Sequence, residues 1–184
     1  MKTERFEFTG WKGVKIPGVC WTPEGECRAV LQIAHGMTEH AGRYETLAQW
    51  MTQRGIAVAA FDLRGHGQHP GNFGTASCGE GGWEASIEDM HIFFQMLEEK
   101  FPEIPHYHLG FSLGSFLLRE YLERYAQGAA GAVLVGTGHE PGWLLSVMVG
   151  IVNAQVKKAG FDGTTDLVRK LSFETYNQTF NTSP

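Results

Sequence analysis

Residues 107–119 read YHLGFSLGSFLLR and join a short apolar run to an amphipathic one. The run Tyr107–Phe111 predicts a strand, and the spacing of apolar residues in Leu113–Tyr125 predicts a helix. Between them stands the motif G-x-S-x-G, with Ser112 flanked by Gly110 and Gly114. A serine on such a sharp strand-to-helix turn needs small neighbours two residues before and after it, because side chains would clash there. Ser112 is therefore a candidate nucleophile, and the alternative is a tight glycine turn with a bystander serine.

Strand and helix patterns alternate on both sides of this turn. Further strands are predicted at Arg5–Phe8, Val14–Trp21, Ala29–Ala34, Ile56–Phe61 and Ala132–Val135, and further helices at Arg43–Arg54 and Trp83–Phe101. This alternation predicts an α/β fold, with a doubly wound, mostly parallel sheet and an N-terminal antiparallel hairpin. Pro17 predicts that its strand is an edge strand or carries a bulge. Ligands of such sheets bind beyond the carboxyl ends of the strands, where the Ser112 turn lies.

Composition excludes several classes of function. The 184 residues carry a net charge of −5 and no basic stripe, which argues against a nucleic-acid partner. The three cysteines show no regular spacing, and the eight histidines show no metal-ligand pattern, so we expect no metal and no cofactor. His106 and His108 alternate on a predicted strand without a cysteine or carboxylate nearby. The charged N-terminus lacks an apolar leader, which predicts a cytoplasmic location.

The loop that follows the strand Ala29–Ala34 begins with His35-Gly36-Met37-Thr38-Glu39-His40. A serine nucleophile needs N–H donors for the oxyanion that forms when it attacks a carbonyl group. We expect one donor to be the N–H of Leu113, directly after the serine, and the other to be the N–H of Met37. Gly36 would let the backbone approach closely. His35 and His40 are interpreted as structural histidines, and a general-base role for His35 is the alternative.

A second polar loop, Asp62-Leu63-Arg64-Gly65-His66-Gly67, follows the strand Ile56–Phe61. Asp62 and Arg64 have opposite charges and are expected to pair and brace the loop. His66 is interpreted as part of the loop architecture beside the site, and a role as catalytic base is the alternative.

Together these stretches resemble the α/β-hydrolase superfamily, most closely the monoacylglycerol lipase and lysophospholipase group of serine hydrolases. The resembling stretches are HGMTEHAGRY (His35–Tyr44), FDLRGHGQHPG (Phe61–Gly71) and LGFSLGS (Leu109–Ser115), in the matching order. The resemblance implies that Ser112 is the nucleophile and that the Met37 and Leu113 N–H groups form the oxyanion hole. Gly36, Gly110 and Gly114 would support the loop and the turn. Two departures are Phe111, where this group often has histidine, and Ser115, where a second glycine is common.

The resemblance also predicts what surrounds this site. Residues 1–138 would be the N-terminal part of the hydrolase core, and 139–184 the start of an incomplete helical lid. In this fold the serine is followed along the chain by an acid and then a histidine. Only one histidine, His139, follows Ser112 in this sequence, and it precedes Asp162 and Asp166. We therefore expect the acid and histidine to lie beyond Pro184 with the remaining strands, and this chain alone to be nearly inactive.

The apolar segment Trp143–Val152 bears on the substrate. As one face of a lid it would hold an acyl chain or contact a membrane or micelle, and the alternative is a helix packed on its own domain. The predicted function is hydrolysis of lipophilic, acylglycerol- or lysophospholipid-like carboxylic esters through an acyl-enzyme on Ser112. The alternatives are acyl transfer, thioester cleavage or amide cleavage on the same fold, or an inactive fragment that serves as an interaction module. An uncovered apolar edge at Ala132–Val135 would favour a dimer or a complementing C-terminal fragment.

Overall fold

The computed structural model describes residues 1–69, 78–139 and 141–159. The chain divides into two compact units, Met1–Thr137 and Gly138–Pro184. The strands of the first unit are β1 (Lys2–Thr9), β2 (Lys15–Thr22), β3 (Ala29–Ala34), β4 (Ile56–Phe61), β5 (His106–Phe111) and β6 (Ala129–Val135). Its helices are α1 (Glu45–Thr52), α2 (Gly82–Lys100) and α3 (Leu113–Tyr125), and α4 (Gly142–Ala159) lies in the second unit.

The six strands form one sheet in the order β1-β2-β4-β3-β5-β6. β1 and β2 form an antiparallel hairpin, β2 joins β4 in antiparallel pairing, and β3, β4, β5 and β6 run parallel. Apolar runs such as 56–61 form these inner strands because both faces of the sheet are covered and every side chain must be buried. The predicted α/β fold with an N-terminal antiparallel hairpin is confirmed.

The position of β2 differs from the prediction made from Pro17. β2 lies between β1 and β4, and its register continues through Pro17, which faces Glu7 of β1. The prediction of an edge strand or a bulge is therefore wrong. The ladder with β4 begins only at Gly18, so the missing N–H of proline costs no hydrogen bond there. The Pro17 carbonyl instead accepts a hydrogen bond of 3.1 Å from the Asp62 N–H, at the start of the second polar loop.

Helices cover both faces of the sheet. The larger core lies between the sheet and helices α2 and α3, and includes Phe61, Ile87, Phe93, Phe94, Leu97, Leu118 and Tyr121. The smaller core lies on the α1 face, around Trp21, Ile33, Ala48 and Val58. α2 forms because most of its apolar residues recur at helical spacing and face the larger core. This packing holds the carboxyl ends of β3, β4 and β5 at one edge, where the polar loops begin.

The last strand of the sheet presents apolar side chains to solvent. Val133, Leu134 and Val135 of β6 are between 39% and 52% exposed. Among the described residues, β6 pairs with β5 alone. The predicted apolar strand edge is therefore present in the described part of the chain, and such edges are templates for pairing with another strand.

A buried histidine makes the stability of this core dependent on pH. His108 of β5 is 1% exposed, and its ring lies beside the rings of Phe94 and Tyr121. Within the described residues, neither ring nitrogen has a hydrogen-bond partner. Burial, together with the neighbouring His106, lowers the pKa of His108 to about 4. The folded protein therefore keeps this ring neutral at pH values where the unfolded chain is protonated.

We expect the free energy of unfolding to fall as the pH drops from about 6.5 to about 4, because the unfolded chain binds the proton first. His108 alone should account for a loss of about 3 kcal/mol at the lower pH. Urea unfolding at a series of pH values measures this loss. His108→Phe, which suits the aromatic surroundings, should reduce it, whereas His40→Phe at an exposed position should not. An acid loss in His108→Phe equal to that of the wild type would contradict the assignment.

Candidate active site

Ser112 lies on the sharp turn between β5 and α3. Its backbone has φ 49° and ψ −115°, a combination that is strained for any residue other than glycine. The Ser112 N–H donates a hydrogen bond of 2.8 Å to the carbonyl of Val135, which ties the turn to the end of β6. The Ser115 hydroxyl donates a hydrogen bond of 2.6 Å to the Ser112 carbonyl. Ser115, a departure from the resembled group, thus helps to hold the strained turn.

The two glycines of the motif are required by close backbone contacts. A Cβ atom at Gly110 would lie 2.5 Å from the carbonyl oxygen of Gly114. A Cβ atom at Gly114 would lie 2.0 Å from the carbonyl oxygen of Ala34, at the end of β3. Backbone atoms cannot move away cheaply, so any side chain at either position would displace α3. The first turn of α3 is therefore pressed against the start of the His35–His40 loop.

The His35–His40 loop reaches Ser112 through Gly36. A Cβ atom at Gly36 would lie 3.3 Å from the Cβ atom of Ser112 and 2.9 Å from the ring of Phe111. Among the described residues, no acceptor is assigned to the N–H of Met37 or to the N–H of Leu113. The structure therefore brings Gly36, the residue before Met37, against Ser112. Phe111, the other departure, places an aromatic ring against the loop.

Both nitrogens of His35 are engaged in hydrogen bonds. Its Nε2 accepts from the Leu63 N–H at 3.0 Å, so its Nδ1 carries the proton and donates to the Gly36 carbonyl at 2.8 Å. Burial lowers the pKa of His35 to about 4, which keeps the ring neutral. This geometry favours the structural interpretation over the general base. His35 joins the two polar loops side by side.

Asp62 and Arg64 have different partners from those that the sequence predicted. The Asp62 carboxylate accepts hydrogen bonds from the Ala41 N–H at 2.8 Å and the Gln68 N–H at 2.7 Å. Arg64 forms a two-pronged ion pair with Asp89 of α2, with N–O distances of 2.6 and 3.1 Å. The predicted Asp62–Arg64 pair is therefore wrong, because both side chains are buried and each finds a partner from a distant segment.

Sequence reasoning missed two buried carboxylates that bond to residues of the two polar loops, Glu39 and Asp89. Glu39 lies inside the His35–His40 loop, and nothing in the local pattern shows that it is buried. Asp89 carries a recognisable signal, since it stands one helical turn from Ser86 and Phe93 on the buried face of α2. A carboxylate in an apolar stripe calls for a buried cation, and Arg64 is that cation.

The described residues do not complete a catalytic triad around Ser112. Within residues 1–69, 78–139 and 141–159, no hydrogen bond joins the Ser112 hydroxyl to a histidine or a carboxylate. His66 bonds the Arg64 carbonyl through Nδ1 at 2.8 Å, which suits the loop-building role. His139 belongs to the second unit. Asp162 and Asp166 lie outside the described residues, and the described residues contain no cluster suited to a metal ion.

Comparisons with known proteins agree with this architecture. The profile of one family, described as serine aminopeptidase, S33 (Hydrolase_4), matches residues 25–175. A monoacylglycerol lipase of Mycolicibacterium smegmatis is 35% identical over 130 residues, which cover 70% of this chain and 45% of that protein. The monoglyceride lipase of Rattus norvegicus is 33% identical over 94 residues, which cover 51% of this chain and 30% of that protein. The chain thus spans less than half the length of these relatives.

Two solved structures resemble the chain more extensively. A lipase in its open form has a TM-score of 0.81 at 27% identity, covering 94% of this chain and 57% of its own. A thermostable carboxyl esterase from Bacillus coagulans has a TM-score of 0.76 at 27% identity, covering 87% of this chain and 52% of its own. The family profile covers most of this chain, and the fold agrees with these structures. The chain therefore belongs to the serine aminopeptidase S33 family of α/β-hydrolases and resembles the monoglyceride lipases within that superfamily.

Proposed function

We propose that Ser112 is the nucleophile of a carboxylic ester hydrolase and that the Met37 and Leu113 N–H groups form its oxyanion hole. The observation that carries this proposal is the strained Ser112 turn, with φ 49°, packed against Gly36 of the His35–His40 loop. A residue other than glycine is held in such a conformation only when surrounding structure enforces it, and such strain clusters at active sites. Lipases and esterases among the similar proteins support the same reaction class.

In this mechanism the Ser112 oxygen attacks the carbonyl carbon of the ester, and a histidine accepts the hydroxyl proton. The negative charge that develops on the carbonyl oxygen is stabilised by the two N–H donors and by the N-terminus of α3. The histidine then gives its proton to the leaving alcohol, which departs and leaves an acyl-enzyme. Water attacks the acyl group, loses a proton to the same histidine, and the acid is released as Ser112 recovers its proton.

The histidine and its acid partner are proposed to come from outside the described residues, in the same chain or from another one. Without them the oxyanion donors and substrate binding still contribute some rate above that in water. The 184 residues by themselves are therefore expected to be nearly inactive. An inactive fragment is the second candidate, and the lack of a described hydrogen bond on the Ser112 hydroxyl favours it.

The proposed substrates are lipophilic esters of the acylglycerol or lysophospholipid type. α4 supports this choice because several of its described apolar side chains are exposed, with Trp143 71% and Val147 54% accessible. No helix among the described residues is long and apolar enough to cross a membrane. An exposed apolar helix suits contact with an acyl chain or with the surface of a membrane or micelle. The monoacylglycerol lipases among the relatives point to the same substrates.

The intact mass of the natively produced protein, measured before and after a fluorophosphonate probe, tests the nucleophile. We expect one adduct, formed by a bond between phosphorus and the Ser112 oxygen with release of fluoride, and its peptide should map to Ser112. A mass above 20.4 kDa together with this adduct would place the base outside the 184 residues. A mass of 20.4 kDa without an adduct would contradict the proposal and favour the inactive fragment.

Product analysis distinguishes hydrolysis from the alternative reactions on this fold. With a monoacylglycerol as substrate, we expect free fatty acid as the main product. Transfer of the acyl group to an added alcohol in preference to water would favour an acyltransferase. Faster cleavage of a thioester than of the matching oxygen ester would favour a thioesterase.

A further inference from the structure

The Gly36 N–H, next to the Met37 donor, is held by a buried carboxylate. We propose that Glu39 is a positioning residue that fixes the oxyanion loop, so that the Met37 N–H points at the reacting carbonyl oxygen. This inference rests on the proposed function, since it assigns a task to a residue that does not touch the substrate. It is carried by the contacts of Glu39 and the backbone conformation of the loop.

The Glu39 carboxylate accepts hydrogen bonds from three donors. Its Oε2 accepts hydrogen bonds from the Gly36 N–H at 3.3 Å and from the Tyr44 hydroxyl at 3.0 Å. Its Oε1 accepts from the Arg43 guanidinium at 2.5 Å. The side chain of Glu39 is only 6% exposed, so these donors replace water. Burial and the Glu39 charge raise the pKa of Tyr44, which keeps its hydroxyl protonated as a donor.

The loop needs such a tie because its backbone is strained. Thr38 has φ 60°, a left-handed conformation that β-branched residues rarely adopt. Met37 and Thr38 stand between the two ends of the Gly36–Glu39 hydrogen bond, which closes the turn. Without this bond Thr38 is free to relax to a negative φ, and the peptide that carries the Met37 N–H would rotate. The carboxylate therefore holds the donor in a conformation that the local chain does not favour.

The charge of Glu39 would oppose an oxyanion unless it were neutralised. A buried negative charge near a developing negative charge is unfavourable, because the interior screens charges poorly. The Arg43 guanidinium supplies the compensating positive charge, and the three donors spread the negative charge over both oxygens. The role of Glu39 is therefore to accept hydrogen bonds rather than to provide charge. A neutral side chain of the same length should replace it in part.

Kinetics of the active protein with a soluble ester test this role. Glu39→Leu is expected to lower kcat by roughly 10- to 100-fold with little change in KM, because a small displacement of an oxyanion donor costs that much. Glu39→Gln keeps an acceptor for the Gly36 N–H and should stay within about 3-fold of the wild type. Glu39→Asp keeps the charge but shortens the reach to Gly36, and should resemble Glu39→Leu. Glu45→Leu, an exposed change of the same type on α1, is the matched control.

The outcomes separate this inference from the proposed function. Binding of a trifluoromethyl ketone, which forms a tetrahedral adduct with an oxyanion, should weaken in parallel with kcat across the series. If Glu39→Leu does not fold, as judged by urea unfolding, Glu39→Asp carries the test. Suppose that the wild type is active and is labelled at Ser112, but Glu39→Asp and Glu39→Leu have the same kcat as the wild type. This result would overturn the inference and leave the proposed function standing. A wild type that is not labelled at Ser112 would overturn both.

Discussion

Ester hydrolysis is expected to fall by roughly 10⁴- to 10⁶-fold in kcat when Ser112 is replaced by alanine. In the proposed mechanism the Ser112 oxygen forms the acyl-enzyme bond, and alanine has no oxygen to replace it. What remains would come from the oxyanion donors and from substrate binding, which act without the nucleophile. Hydrolysis of a p-nitrophenyl ester by wild type and Ser112→Ala at equal concentrations measures the loss.

Two controls accompany this experiment: the stability of Ser112→Ala, and an alanine variant of a second serine. Alanine keeps the Cβ atom, so Ser112→Ala should unfold at nearly the same urea concentration as the wild type. Ser86→Ala removes a hydroxyl on α2 that donates a hydrogen bond of 3.1 Å to the Gly82 carbonyl, and should leave kcat unchanged. A loss of less than about 10-fold in Ser112→Ala would show that another residue performs the attack.

The free energy of unfolding is expected to fall by about 3–5 kcal/mol when Asp89 is replaced by alanine, because the change leaves a buried guanidinium without its partner. Arg64 and Asp89 are 5% and 1% exposed, and their ion pair is two-pronged. Asp89 Oδ1 also accepts the Trp11 N–H at 2.7 Å, so one change removes bonds to two segments. Urea unfolding at neutral pH measures the difference.

A double variant separates the two contributions to this loss. Removing both charges, as in Arg64→Met with Asp89→Leu, should restore much of the stability, since a buried ion pair is often replaceable by apolar side chains. Glu84→Gln at the exposed ion pair with Arg124 should leave the unfolding midpoint unchanged, because solvent screens that pair. A loss in Asp89→Ala no greater than in Glu84→Gln would contradict the structural role of the pair.

The Arg64–Asp89 pair also matters for the site. Arg64 stands in the second polar loop, and the Leu63 N–H of that loop donates a hydrogen bond to His35 at the start of the His35–His40 loop. Loosening the pair in Asp89→Ala is therefore expected to disturb both loops. A chain of hydrogen bonds therefore runs from Asp89 to Arg64, and from the neighbouring Leu63 through His35 to Gly36. It connects α2 to the His35–His40 loop.

The features that could be predicted from sequence depend on short stretches of chain. The Ser112 turn follows from sterics within five residues, and the close contacts at Gly110 and Gly114 supply the reason for both glycines. The inner strands follow from apolar runs, and α2 follows from helical spacing, because burial imposes those periods. The oxyanion donors Met37 and Leu113 remain predictions that the geometry supports.

Features that join distant segments could not be read from the sequence. Arg64 selects Asp89, 25 residues away, over its near neighbour Asp62, which instead accepts backbone N–H groups. Glu39 looks like an ordinary loop carboxylate until the fold surrounds it with Gly36, Arg43 and Tyr44. β2 can lie between β1 and β4 despite Pro17, because its ladder with β4 starts only after that residue. Local propensity does not reveal where the ladder starts.

The sequence alone therefore determined the order of strands and helices, the family resemblance and the serine on its turn. Only the tertiary structure decided which buried charges pair, which loop is strained and what holds it. The physical reason is that steric limits and apolar periodicity act within a few residues, whereas the cost of a buried charge is met by whichever partner the fold brings near. Glu39 and Asp89 are the two residues of this protein at which that difference is largest.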